Sequence, residues 1–380
     1  MKHYGFLDLK GVNAPYIEAL AEAASRVVRS GRYVGGEEVE SLERKMSDVS
    51  GAPYTVAVSN GLDALRLILR AYVELGRLRP GCGVIVPANT YIATVLAIRD
   101  AGLTPVLADV DPLSSNLKGG EVLERLIGPD TGAIMPVHLY GRVAWDDDMA
   151  SIARRHNLLV IEDNAQAIGA ESPAAGLFGT RLTGSLGHAA GMSFYPTKNV
   201  GALGDAGAVT THDPQLAAMV RALANYGADR RYHNIHEGFN CRMDPIQAAM
   251  LSVKLGHLEE ENEDRRQRAA IYRQTISNPL VRLPQDVGRA HVYHQFVVHV
   301  DDRDSFCRHL DANGVGWDIH YATPPHRQPC YAATSSLIIP SAGLPVTDRL
   351  ADTCLSLPIT RCTSMADARA IGEIINAYRG

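Results

Sequence analysis

Thr55-Val56-Ala57-Val58-Ser59-Asn60-Gly61-Leu62 reads as a strand that stops at a turn and opens a helix. Val56-Ala57-Val58 is a short unbroken apolar run of small and β-branched residues, as in a strand buried on both faces. Asn60-Gly61 is a tight-turn pair, and residues 62–75 carry apolar side chains at helical spacing. A helix that starts where a strand ends presents unpaired N–H groups and a positive dipole end at the junction. The turn at Gly61 and Leu62 is therefore competent to bind an anion.

The same alternation extends outward. Residues 15–30 and 37–49 read as helices upstream, and 84–87, 105–108, 133–137 and 158–161 as further buried strands with helical segments between them. Strands that alternate with helices call for βαβ crossovers and a mostly parallel sheet covered on both faces. Ligands of such sheets collect at the carboxyl ends of the strands. A return strand is expected at 206–210, and one long charged helix from Pro245 to Ile276 bridges to the C-terminal part of the chain. Beyond Asn278-Pro279 the pattern becomes mixed, with strands at 292–300 and 315–321 and helices at 304–312 and 366–378. The expected architecture is α/β: a large sheet domain over 1–255 and a smaller α+β domain over 256–380.

Composition removes several function classes. With 46% hydrophobic and 21% charged residues, the 380-residue chain is neither disordered nor fibrous, and a net charge of −5 argues against a nucleic-acid surface. Its six cysteines form no Cys-x-x-Cys pair, so neither a metal cluster nor a disulfide framework is expected. The first ten residues lack the apolar core of a signal peptide, and no apolar run approaches the ~18 residues of a membrane span. A cytoplasmic soluble protein with no membrane partner is expected.

Three features at strand ends carry the chemistry. Lys198, the only lysine between Lys118 and Lys254, follows the rigid Phe194-Tyr195-Pro196 and precedes a glycine-rich turn. An ammonium among such neighbours loses solvation, which frees the neutral amine for covalent catalysis. Asp163 ends the apolar run 158–161, where a carboxylate faces a ligand, pairs with a cation, or caps a helix. The Asn60-Gly61-Leu62 turn supplies the anion site. The loop 227–244, rich in His, Arg, Tyr and Asn, is long enough to be functional.

An anion cradle, a carboxylate and an amine together have the shape of a pyridoxal phosphate (PLP) site. Their order resembles the DegT-like sugar-nucleotide aminotransferases. The resemblance covers nearly the whole chain and is carried by Ser193-Phe194-Tyr195-Pro196-Thr197-Lys198-Asn199, Glu162-Asp163-Asn164-Ala165-Gln166-Ala167, Gly238-Phe239-Asn240-Cys241-Arg242-Met243-Asp244 and Ile319-His320-Tyr321-Ala322-Thr323-Pro324-Pro325-His326. It implies an aspartate-aminotransferase-like fold type I with a seven-stranded sheet. It also implies that Lys198 bonds the cofactor and later shuttles the proton, that Asp163 keeps the pyridine nitrogen protonated, that Gln166 lies near the ring oxygen, and that Tyr91 stacks on the ring. The phosphate would be held by Gly61, Leu62 and Ser193, and by Asn240 from the neighbouring subunit of a homodimer.

Three positions depart from that pattern. Leu62 replaces a frequent threonine, and Cys241 and Ile168 stand where serine and histidine are common in that family. Retention of Lys198, rather than the histidine of dehydrating relatives, favours amino transfer.

Wording such as Pro87-Ala88-Asn89-Thr90-Tyr91-Ile92-Ala93-Thr94 is nearest to the branch that aminates C3 of a dTDP-3-keto-6-deoxyhexose. L-glutamate would be the donor and pyridoxamine phosphate the intermediate cofactor form. Tyr195, His320, Tyr321 and His326 are the sugar-side candidates. C4 amination of a dTDP- or UDP-4-keto sugar, a PLP dehydratase or epimerase, and a non-catalytic regulatory protein on the same fold are the alternatives.

Overall fold

A computed structural model describes residues 2–332 and 336–380. Its central sheet contains β1 (Tyr54–Val58), β2 (Gly83–Pro87), β3 (Thr104–Ala108), β4 (Thr131–Ile134), β5 (Leu159–Asp163), β6 (Ala189–Ser193) and β7 (Gly207–Thr211), in the order β1-β7-β6-β5-β4-β2-β3. Strands β2 to β6 pair in parallel, and β7 is antiparallel to both β6 and β1. Six carboxyl ends, including that of β1, therefore open on one edge.

Pleating explains why the strands read as unbroken apolar runs. Val84 and Val86 face a core shared with the helices Gly61–Glu74, Ile92–Asp100 and Pro214–Ala224, whereas Ile85 joins Val106, Ile134 and Val160 beneath the helix Asp147–Arg155. Toward β6 the first layer closes tightly. A Cβ at Gly191 would lie 2.6 Å from Leu65 Cδ2, so the helix Gly61–Glu74 rests on the strand only because that position is glycine.

A short hairpin, β8 (Ala228–Arg230) and β9 (His233–Asn234), interrupts the polar loop. Further on, β10 (Phe296–His299) pairs antiparallel with β11 (Cys354–Leu357). Phe296, Leu355 and Leu357 share a core with Tyr272, Phe306 and Ile371 from the helices Leu258–Thr275, Arg303–Ala312 and Met365–Asn376. The N-terminal segment joins this layer, since Tyr4 N–H donates to Gly314 O and Gly316 N–H to Tyr4 O.

Three expectations change. The single helix from Pro245 to Ile276 is two, Pro245–Leu255 and Leu258–Thr275, parted at Gly256-His257. Glycine is a weak helix former, and the His257 ring packs 4.9 Å from that of Tyr16. The strand at 315–321 reduces to bridges of Val315 with Tyr4 and Asp318 with Ser356. The helix Pro345–Thr353 and β11 have no counterpart among the expected elements; the helix carries its proline in the first turn, where the missing N–H is harmless. Among the described residues no helix is long and apolar enough to cross a membrane.

Candidate active site

The anion cradle is set by a cap. Asn60 Oδ1 accepts from Asp63 N–H at 2.8 Å and its Nδ2 donates to Asp63 Oδ2 at 2.9 Å. That fixes the first turn and leaves the Gly61 and Leu62 N–H groups without acceptors among the described residues. Ser193, at the end of β6, lies directly against them. A Cβ on Gly61 would come 2.6 Å from Ser193 Cβ, and one on Gly207 would come 2.4 Å from the Asn60 carbonyl carbon. Leu62 instead packs on the core, in keeping with the loss of a hydroxyl contact.

Between β6 and β7 the chain folds into a closed loop. Phe194 N–H donates to Ala206 O, Ala202 N–H to Phe194 O, and Lys198 N–H to Tyr195 O at 2.8 Å. Phe194 is buried and anchors it. The Lys198 ammonium is brought down to about 8 by burial, against the pull of the Asp163 carboxylate. Asp163 is buried at the end of β5, and burial raises its carboxyl above the usual value. The Thr94 hydroxyl, the Ala165 N–H and the Lys198 charge oppose that shift. Thr94 Oγ1 donates to Asp163 Oδ2 at 2.8 Å, and Ala165 N–H to Oδ1 at 3.1 Å. No helix begins directly after Asp163, so it is not a helix cap.

The chain matches the DegT/DnrJ/EryC1/StrS aminotransferase family over residues 16–376. It belongs to that family. It is 42% identical over 374 residues to dTDP-3-amino-3,6-dideoxy-alpha-D-galactopyranose transaminase of Aneurinibacillus thermoaerophilus, a match that covers 98% of this chain and 99% of the relative. Identity to dTDP-3-amino-3,4,6-trideoxy-alpha-D-glucose transaminase of Streptomyces venezuelae is 40% over 366 residues, 93% and 90% of the two chains. The crystal structure of S. venezuelae DesV with a ketimine intermediate superposes with a TM-score of 0.91 at 38% identity, covering 99% of this chain and 98% of that one.

Membership in the DegT/DnrJ/EryC1/StrS family implies PLP, and the residues present fit it. Free N–H groups beside Ser193 suit a phosphate, a buried carboxylate suits a pyridinium, and a desolvated amine suits an aldehyde carbon.

The other expected residues divide into two groups. Gln166, Tyr321 and Tyr91 cluster: Gln166 Nε2 donates to the Tyr321 hydroxyl at 3.1 Å, and the Tyr91 and Tyr321 rings lie 5.2 Å apart. His320 joins them, with Nδ1 2.8 Å from Ser356 Oγ; burial lowers its pKa, and the Lys198 charge acts in the same direction. Tyr195 is exposed on the loop. Asn240 is also exposed, its backbone bridges Asn225, and no hydrogen bond joins it to Lys198, Asp163 or Ser193 among the described residues. His326 turns to Asp348, at 2.8 Å, on the helix Pro345–Thr353.

Several supporting residues were not foreseen. Thr94 holds Asp163. Tyr140, in the left-handed region at φ 61°, donates its N–H to Gln166 Oε1 at 2.5 Å and its hydroxyl to His320 O at 2.5 Å. Glu162 is fully buried, yet its oxygens accept from the N–H groups of Gly184, Leu186 and Gly187 and meet His138 Nε2 at 2.9 Å. His138 Nδ1 accepts Ala144 N–H, so the ring proton sits on Nε2 and points at Glu162.

Proposed function

We propose that the chain transfers an amino group from L-glutamate to C3 of a dTDP-linked 3-keto-6-deoxyhexose, using PLP bonded to Lys198. The observation that carries the reading is the pairing of Lys198 and Asp163. Asp163 ends β5 and Lys198 sits in the loop between β6 and β7, and each senses the other's charge although no ion pair joins them among the described residues. The choice of C3 and of dTDP is supported by the two 3-amino-sugar transaminases at 40–42% identity.

Gly61, Leu62 and Ser193 would hold the phosphate of PLP, Asp163 would keep its pyridine nitrogen protonated, and Tyr91 and Gln166 would hold the ring. Bound there, PLP supplies an electron sink that makes the C–H bond next to nitrogen acidic. Lys198 moves the proton. With its pKa near 8, its Nζ gives up or accepts a proton near neutral pH at a cost of about 1.4 kcal/mol per pH unit. Thr94 holds the Asp163 carboxylate toward its partner and favours the charged form. His320, Tyr321, Tyr195 and His326 would meet the sugar side. Asn240 is exposed and makes no hydrogen bond to its own chain's Gly61, Leu62 or Ser193 among the described residues, which leaves its side chain available to a neighbour's phosphate in a homodimer. The six cysteines are free thiols, in keeping with a cytoplasmic setting.

Incubation with ¹⁵N-glutamate and a panel of dTDP-3-keto, dTDP-4-keto and UDP-4-keto sugars, read by mass spectrometry, tests the reading. Label is expected at C3 of the dTDP-3-keto sugar. Label only at C4 would transfer the assignment to the other branch, and no label in any product would favour the non-catalytic alternative. Lys198→Ala is expected to retain its fold, bind PLP without a covalent bond and lose turnover by roughly 10³-fold or more.

A further inference from the structure

Tyr140 has a second set of neighbours. Besides holding Gln166 and His320, it forms part of the wall of a cavity of about 550 Å³. The cavity lies where residues 112–115 and the turn at 140–142 meet β10, the segment 282–285 and the helix Pro345–Thr353, and none of Lys198, Asp163, Gln166 or Ser193 lines it. Its volume falls within the range of small-molecule sites.

The charge of this lining is one-sided. Arg142, Arg282 and Arg349 contribute to it, and no aspartate or glutamate does. Arg282 and Arg349 share Asp301, at 3.0 and 3.7 Å, outside the lining. Arg142 has no carboxylate partner among the described residues. Its Nη1 donates to Leu113 O and its Nη2 to Gln285 Oε1, both at 3.0 Å, and both acceptors are neutral. Partial burial lowers its pKa, and the charge of Asp111, which makes no ion pair with it and does not line the cavity, opposes that shift. His291 and His299 add no charge, since burial takes them to about 3 and about 4. Leu113, Leu283 and Leu350 supply an apolar side.

The geometry points to a second ligand site, separate from the amino-transfer centre, that takes a small organic anion with its carboxylate or phosphate on Arg142 and its apolar body along Leu113, Leu283 and Leu350. A guanidinium offers such an anion two parallel N–H groups, and the cavity wall itself supplies three guanidinium side chains and no carboxylate. This inference goes beyond the amino-transfer reading and does not depend on which sugar is the substrate.

Calorimetric titration of the PLP-loaded protein, whose own phosphate cradle is then filled, with hexanoate, hexyl phosphate and neutral hexanol tests it. At least one of the two anions is expected to saturate a site with a Kd of about 1 mM or lower, and hexanol to bind at least about tenfold more weakly. The anion that binds identifies carboxylate or phosphate as the ligand class. Arg142→Gln should weaken the anion about tenfold or more, and Leu283→Glu, which sets a carboxylate in the cavity, should do the same without touching Arg142. Both variants should keep the wild-type circular dichroism spectrum; if Arg142→Gln does not fold, Leu283→Glu decides alone. Absence of saturable binding by both anions, or equal binding in the folded variants, overturns the assignment.

Discussion

Gly61 and Ser193 stand so close that a Cβ on the glycine would lie 2.6 Å from the serine Cβ and 3.2 Å from its Cα. The contact is with a strand residue, so no flexible side-chain tip can swing away. Gly61→Ala is therefore expected to push the helix start off β6, costing about 1–3 kcal/mol of stability. The displaced N–H groups no longer converge with the Ser193 hydroxyl, and PLP affinity should fall at least about tenfold. Titration of the cofactor-free variant with PLP, beside a urea unfolding curve, measures both. Unchanged PLP affinity would show that the phosphate is held elsewhere.

The Thr94 hydroxyl donates to Asp163 Oδ2 at 2.8 Å, shorter than its 3.2 Å approach to Tyr91 O. Thr94→Val keeps the shape and removes the hydrogen bond from a buried carboxylate, an interaction with a charged group that contributes about 1.5–3 kcal/mol. Because that bond favours the charged form and burial already raises the carboxyl, its loss raises Asp163 further. The acid limb of the kcat/KM profile should move to higher pH, with turnover at pH 7 down about 10- to 100-fold. A uniform loss with no movement of that limb would assign Thr94 to packing alone.

How far the site could be read from sequence depended on range. The Asn60-Gly61 turn, the lysine loop bounded by strands and the carboxylate at the end of β5 are local features, written in adjacent residues by turn chemistry and strand periodicity. Period two also says that Glu162 and Asp163 face opposite sides of β5. It does not say which side holds the ligand. That is decided by the N–H groups of 184–187, more than twenty residues away, which close around Glu162 and leave Asp163 to Thr94. Tyr140 escaped notice for the same reason, since its partners Gln166 and His320 lie 26 and 180 positions along the chain. The break at Gly256-His257 shows the converse case, where a continuous charge pattern hid a weak helix former.

Glu162 gives a sharp test of that division of labour. Its carboxylate satisfies three buried N–H groups and faces the Nε2 proton of His138. Glu162→Gln turns one acceptor oxygen into a donor aimed at other donors, and should cost about 3–5 kcal/mol in chemical unfolding. Asp163→Asn removes charge beside the cofactor and should damage turnover far more than stability. If Glu162→Gln unfolds at the wild-type urea midpoint, the network around it is not structural.

Two lysines of the cofactor-free protein share a pKa near 8, and their surroundings predict opposite outcomes when they are replaced. Lys254 Nζ donates to Gly201 O at 2.6 Å and Asn13 Oδ1 at 2.9 Å, tying the lysine loop to the N-terminal segment. Lys254→Met forfeits both bonds and should destabilise at every pH. No hydrogen bond of the Lys198 ammonium appears among the described residues, so its burial is nearly pure cost. Its folded pKa lies below the usual 10.5, so below pH 8 both states carry the charge and the folded one bears the full penalty. Between pH 8 and 10.5 the folded state releases its proton first, and stability rises with pH. Lys198→Met should therefore be more stable than the parent at pH 7, by on the order of 2 kcal/mol, with the gap closing by pH 10.5. Urea unfolding of the cofactor-free proteins at pH 7 and pH 10 measures this. A gap that does not change with pH would mean that the Lys198 ammonium is solvated, and a solvated lysine would not be poised to exchange its proton near neutrality.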